Sequence, residues 1–130
     1  MLHRIVVGYD FSESADDALA WAVDLARPHN AQVAVVHVMD APSDDDPAVQ
    51  TQRARLVRAA NELGPEVVSH LVLGDGIARK LVEFAERNDA DVIVVATEAN
   101  AFTGWLLGSV AQEVLRRAHC PVITWRQNDE

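Results

Sequence analysis

A single cysteine, Cys120, stands in a chain of 130 residues, so no disulfide can form within it. Such cysteine use fits a reducing compartment. No apolar run approaches the roughly 20 residues that a membrane-spanning helix requires. Met1-Leu2-His3-Arg4 leads straight into a strand-like segment, without the charged and apolar regions of a secretory leader. The expected compartment is therefore the cytoplasm. Basic residues are scarce, with 11 Lys and Arg against 20 Asp and Glu and a formal charge of −9, which disfavours non-specific binding to nucleic acid or anionic membranes. Trp21, Trp105 and Trp125 are scattered and form no stacking ladder for bases.

Several chemical signatures are also missing. Gly8-Tyr9-Asp10-Phe11 is not a dinucleotide fingerprint, and no G-x-x-x-x-G-K-[ST] loop exists, which excludes the common dehydrogenase and P-loop NTPase patterns. His3, His29, His37, His70 and His119 lack the spacing of a local metal motif, and Asp40 to Pro47 lacks the calcium-loop pattern, so no metal centre is expected. His37 and His70 lie within apolar runs and read as structural. A Ser109-His37-Asp10 arrangement can be drawn, but no G-x-S-x-G elbow supports it, leaving a crevice hydrolase as the weaker alternative and no catalytic residue assigned.

What is present is a regular alternation. Arg4 to Asp10, Gln32 to Met39, Val67 to Leu73, Asp91 to Ala96 and Val122 to Trp125 are short β-branched runs, as buried parallel strands should be. Four amphipathic segments separate them. Ser12 or Ser14 can cap the first, whose apolar stripe is Ala15, Ala18, Leu19, Ala22, Val23 and Ala26; Pro28 and Asn30 end it. Ala48 to Leu63 forms the second, with Val49, Arg53, Leu56, Val57 and Ala60 on one side. The third follows Gly74-Asp75-Gly76 and buries Ile77, Leu81, Phe84 and Ala85, with Arg79–Glu83 and Glu83–Arg87 one turn apart on its exposed side. The fourth starts at Ser109, with Gln112 at capping-box spacing, and turns Val110, Ala111, Val114 and Leu115 to the sheet. Cys120 reads as a small buried hydrophobe.

This β-α-β-α-β-α-β-α-β order predicts one α/β domain over residues 1–126, a three-layer sandwich around a mainly parallel sheet, followed by a polar tail at 127–130. A sheet order of 3-2-1-4-5 puts the ligand crevice between the first and fourth strands. Gly8 to Ser12 and Ala96 to Ser109 then face each other across it. Gly108-Ser109 is either a phosphate seat, through free helix amides and a hydroxyl, or a plain capped helix start. Asp10 either accepts hydrogen bonds from a ribose or base, or pins the turn at Phe11-Ser12. Phe11 stands at the crevice mouth.

The residues that carry a family likeness are Ile5 to Ser14, Val35-Val36-His37-Val38, Gly74-Asp75, Leu106 to Arg116 and Ala118 to Val122. On these the chain resembles the universal stress protein family over essentially its whole length. The resemblance implies an adenine nucleotide alpha hydrolase-like fold, a homodimer joined through the fifth strand (Val122, Ile123, Thr124, Trp125), and no established catalysis beyond weak or absent ATP hydrolysis. One branch of that family binds ATP through G-x2-G-x9-G-[ST]. Gly108 and Ser109 fill the last two places, while Val95 and Glu98 stand where the other glycines belong, and the usual His-Gly-Arg or His-Gly-Lys run is Thr97-Glu98-Ala99.

The cofactor-binding set that the resemblance carries over is Asp10, Val38, Ala96, Gly108, Ser109 and Val110, for ATP with Mg2+ or another adenine nucleotide. Val95 restricts the backbone, and Glu98 brings a carboxylate towards the phosphates. The expectation is thus a stress-associated, non-enzymatic regulatory protein with an intact adenosine end and a damaged phosphate end. Its ATP binding is weak or lost, and a regulatory protein is its expected partner. The alternative is a genuine ATP-binding switch.

Overall fold

The computed structural model describes residues 2–97 and 108–126. Its elements are β1 (Arg4–Gly8), α1 (Glu13–Ala26), a 3-10 turn (Arg27–His29), β2 (Gln32–Met39), α2 (Pro47–Leu63), β3 (Val67–Leu73), α3 (Ile77–Arg87), β4 (Val92–Thr97), α4 (Ser109–Arg117) and β5 (Val122–Arg126). All strand pairs are parallel, and the order is β3-β2-β1-β4-β5.

Alternation along each strand builds two apolar layers. Ile5, Val7, Val33, Val35, Val92 and Val94 point to one face, where Ala15, Ala18, Leu19 and Ala22 of α1 and Leu56 and Ala60 of α2 cover them. Val6, Ala34, Val36, Val38, Ile93 and Val95 point to the other, under Ala78, Leu81, Val82 and Ala85 of α3 and Ala111 and Val114 of α4. Residues buried on both faces explain why β1, β2 and β4 read as continuous apolar runs. At the strand starts, the Asp91 carboxylate accepts from the amides of His3 (2.6 Å) and Arg4 (2.9 Å). Those two bonds hold its pKa below the usual carboxylate value and tie β1 to the start of β4.

The helix starts follow local chemistry. Ser12 accepts from the Ala15 amide at 3.1 Å and is the cap of α1, whereas Ser14 is buried. Within the acidic loop Asp46 accepts from the Ala48 amide at 2.9 Å, so α2 begins at Pro47, one residue before the expected start. The 3-10 turn carries Pro28, and Asn30 leaves it in the left-handed region.

Several expectations are corrected. Val57, Ile77 and Leu115 are exposed rather than buried. Val57 and Leu115 each follow a buried residue and lie a step of about 100° around the helix from it, beyond the narrow stripe that meets the sheet. Ile77 is the first residue of α3 and overhangs the C-terminal edge of the sheet. Ser109 does not cap α4; Gly108 is the N-cap and Ser109 the first helical residue, so the Ser-x-x-Gln spacing sits one place too late for a capping box. Finally, Arg79 pairs with Asp75 (3.2 Å) and Glu83 with Lys80 (3.6 Å) rather than in the Arg79–Glu83 and Glu83–Arg87 pairs.

Candidate functional site

The switch in strand order leaves β1 and β4 adjacent, with their connections leaving in opposite directions. A crevice of about 140 Å3 opens there, lined by Gly8, Tyr9, Asp10, Val36, His37, Val38, Ile77, Leu81, Val95, Ala96 and Val110. It therefore brings together four of the six candidate residues: Asp10, Val38, Ala96 and Val110. Gly108 and Ser109 are exposed at its lip, immediately before Val110. Glu98 lies outside the described residues.

The β1–α1 turn is braced from outside the crevice. Asp10 Oδ1 accepts from the Ser12 amide at 3.0 Å while the residue also lines the crevice, so its turn-pinning and ligand-facing roles coexist. Phe11 sits in the left-handed region at φ 65°, a conformation that costs a bulky residue about 1–2 kcal/mol. Its ring is held edge-on by Tyr9 (4.9 Å) and His37 (4.8 Å), and the Arg55 guanidinium stands 4.1 Å over its face. The Tyr9 hydroxyl donates to Asp16. Burial, and then that contact, push the Tyr9 pKa up, so the hydroxyl stays protonated. His37 Nδ1 lies 2.8 Å from the Tyr9 carbonyl oxygen, the structural role expected of it.

The β2 end of the crevice follows from strand register. The β1 ladder ends at Gly8 opposite Val36, and Tyr9 N–H adds one bond to the Val36 carbonyl. Val38, two residues further, has no ladder partner on that side, which leaves its backbone edge to the crevice. A side chain at Gly8 would displace Leu81: a Cβ there would stand 2.7 Å from Leu81 Cδ2 and 3.3 Å from Val95 Cγ1. Leu81 and Val95 fill the floor, and Ile77 forms an apolar rim.

The α4 end of the crevice differs from a ready anion seat. Of the four N-terminal amides of α4, that of Gly108 already donates to Thr97 Oγ1 at 3.1 Å. Among the described residues no Lys or Arg lines the crevice, and the Val95 side chain is buried in its floor. The described lining thus offers apolar surface and one carboxylate, that of Asp10. Sequence reasoning missed Thr97, Leu81 and the exposed Ile77; the signal for Leu81 was the glycine of Gly8-Tyr9-Asp10.

Elsewhere, burial pushes the Cys120 thiol pKa up, as suits a half-buried inert thiol. Among the described residues no group of three or more His, Cys, Asp or Glu side chains is placed to hold a metal ion. No described helix is long and apolar enough to cross a membrane.

A parallel five-stranded sheet in this order, with its crevice between β1 and β4, defines an α/β sandwich of the adenine nucleotide alpha hydrolase-like class. Residues 1–126 match the universal stress protein family, and the chain belongs to it. It is 32% identical over 139 residues to a universal stress protein of Methanocaldococcus jannaschii, covering 92% of this chain and 79% of that one. It is 37% identical to one of Mycobacterium tuberculosis, covering 95% of this chain and 45% of the relative, so it spans about half the length of that protein. Among solved structures, the universal stress protein from Archaeoglobus fulgidus superposes with a TM-score of 0.81 at 29% identity, covering 96% of this chain and 99% of that one. The universal stress protein from Archaeoglobus fulgidus in complex with dAMP gives 0.77 at 30% identity, covering 96% of this chain and 99% of that one. A universal stress protein in complex with cAMP gives 0.78 at 26%, covering 95% and 96%.

Proposed function

We propose that this chain is a cytoplasmic, non-enzymatic stress-response or regulatory protein whose adenine-type crevice has kept its adenosine end and lost tight ATP binding. The observation that carries the reading is the split within one crevice. Asp10 and the free edge of Val38 stand at one end, while Thr97 occupies the Gly108 amide and Val95 fills the floor at the other. The dAMP and cAMP complexes of similar proteins support an adenine ligand with few phosphates. They also favour the second reading, a nucleotide-bound switch of the same kind. Calorimetric titration with magnesium-ATP separates the two: a dissociation constant of about 0.1 mM or weaker is expected, and a low-micromolar value would sink the first reading.

The partner we propose is a second copy, joined along β5. That strand is at the sheet edge, with Val122, Ile123, Thr124 and Trp125 all half-buried. An edge of this composition needs a cover. Light scattering at micromolar concentration is expected to give twice the chain mass, and a monomer mass contradicts the assignment.

A further inference from the structure

The crevice has an electrical character of its own. Among the described residues that line it, Asp10 is the one Asp, Glu, Lys or Arg. The nearby cations are engaged elsewhere: Arg79 with Asp75, Lys80 with Glu83, and Arg55 on the Phe11 ring. Thr97 is only 6% exposed, and its hydroxyl takes the Gly108 amide. Ile77, 50% exposed at the rim, adds apolar surface that a bound ring could cover.

We infer that the crevice selects an uncharged nucleoside-like ligand, an aromatic base on a neutral hydroxylated arm, over the phosphorylated forms of the same compound, and that Thr97 helps set this preference. The inference rests on the adenine reading of the crevice given above. A carboxylate accepts hydrogen bonds from hydroxyls and repels phosphate oxygens. Each added phosphate brings negative charge towards Asp10, and among the described lining residues no Lys or Arg answers it. The Thr97 hydroxyl also removes one of the amides that would answer such a charge.

The test is a calorimetric series on the whole chain with adenosine, AMP and ATP, the last with and without Mg2+. Affinity is expected to fall with each phosphate, leaving ATP at least about tenfold weaker than adenosine at low salt, with a narrower gap at high salt because the repulsion is screened. Thr97→Val, which frees the Gly108 amide, is expected to narrow the gap at least about threefold, and Thr97→Ser to restore it. Thermal unfolding of each variant shows whether it remains folded. Affinity that rises with phosphate number overturns the inference while leaving the adenine reading standing. If Arg126→Gln then abolished that rise, the cation opposite Thr97 at the end of β5 would be the phosphate's partner. A gap unchanged in Thr97→Val removes the role given to Thr97. Failure of all three ligands to bind would sink the adenine reading itself, and this inference with it.

Discussion

Leu81→Ala is expected to lower the free energy of unfolding by about 2–3 kcal/mol, the lower part of the range for buried leucines. Leu81 is 1% exposed and among the largest fully buried side chains. It lies across Gly8 so closely that a Cβ on that glycine would meet its Cδ2 at 2.7 Å. It belongs to the layer that joins α3 to Val6, Val36, Val38 and Val95. Truncation forfeits the transfer free energy of the missing carbons. The void would open into the crevice, where water can enter, so the additional cavity cost stays small. Against a typical total of about 5–15 kcal/mol, this is a large fraction. Urea unfolding measures it as a lower midpoint with an unchanged slope. A loss under about 1 kcal/mol would mean that α3 does not pack over β1 as described.

Val95→Gly is expected to cost about 2–4 kcal/mol, from the lost burial of a valine and the entropy of a glycine inside a strand. Val95 is 3% exposed in β4, paired between Gly8 of β1 and Thr124 of β5. The substitution restores one family glycine, yet it supplies no cation and leaves Thr97 on the Gly108 amide. ATP affinity is therefore expected to stay within about threefold of the original, a change of roughly 0.7 kcal/mol or less. A variant that bound magnesium-ATP in the low-micromolar range would show that Val95 alone closes the phosphate end. The same comparison shows why the valine is stable in its place: here it serves the core, where a glycine would serve a ligand.

The fold was readable because its determinants are local and repeated. β-branched runs such as Ile5-Val6-Val7 and Val92 to Val95 are buried on both faces, and alanine-rich stripes such as Ala15, Ala18 and Ala22 pack closely on them. Parallel pairing, right-handed crossovers and the switch at β1 and β4 then follow with few choices. Of the site residues, Asp10 could be placed at the crevice from the topology, whereas Val38, Ala96 and Val110 entered through the family likeness; all four line the crevice.

What periodicity could not reveal was which groups answer one another across the chain. Ile77 has the spacing of a buried residue, but it starts its helix beyond the edge of the sheet and is exposed. Ser109 and Gln112 have capping-box spacing, but the Thr97 hydroxyl, eleven positions earlier, already satisfies the Gly108 amide, and the helix starts around that contact. Phe11 reads as a residue at the crevice mouth, and only the assembled chain brings Tyr9, His37 and Arg55 around its left-handed backbone.

The central claim is that one end of the crevice still holds adenosine while the other no longer holds phosphates. Magnesium-ATP titration of the purified chain, joined to mass spectrometry of any nucleotide released on denaturation, tests it most directly. The account predicts no co-purifying ATP and a dissociation constant of about 0.1 mM or weaker. Stoichiometric ATP carried through purification, with low-micromolar rebinding, would contradict it.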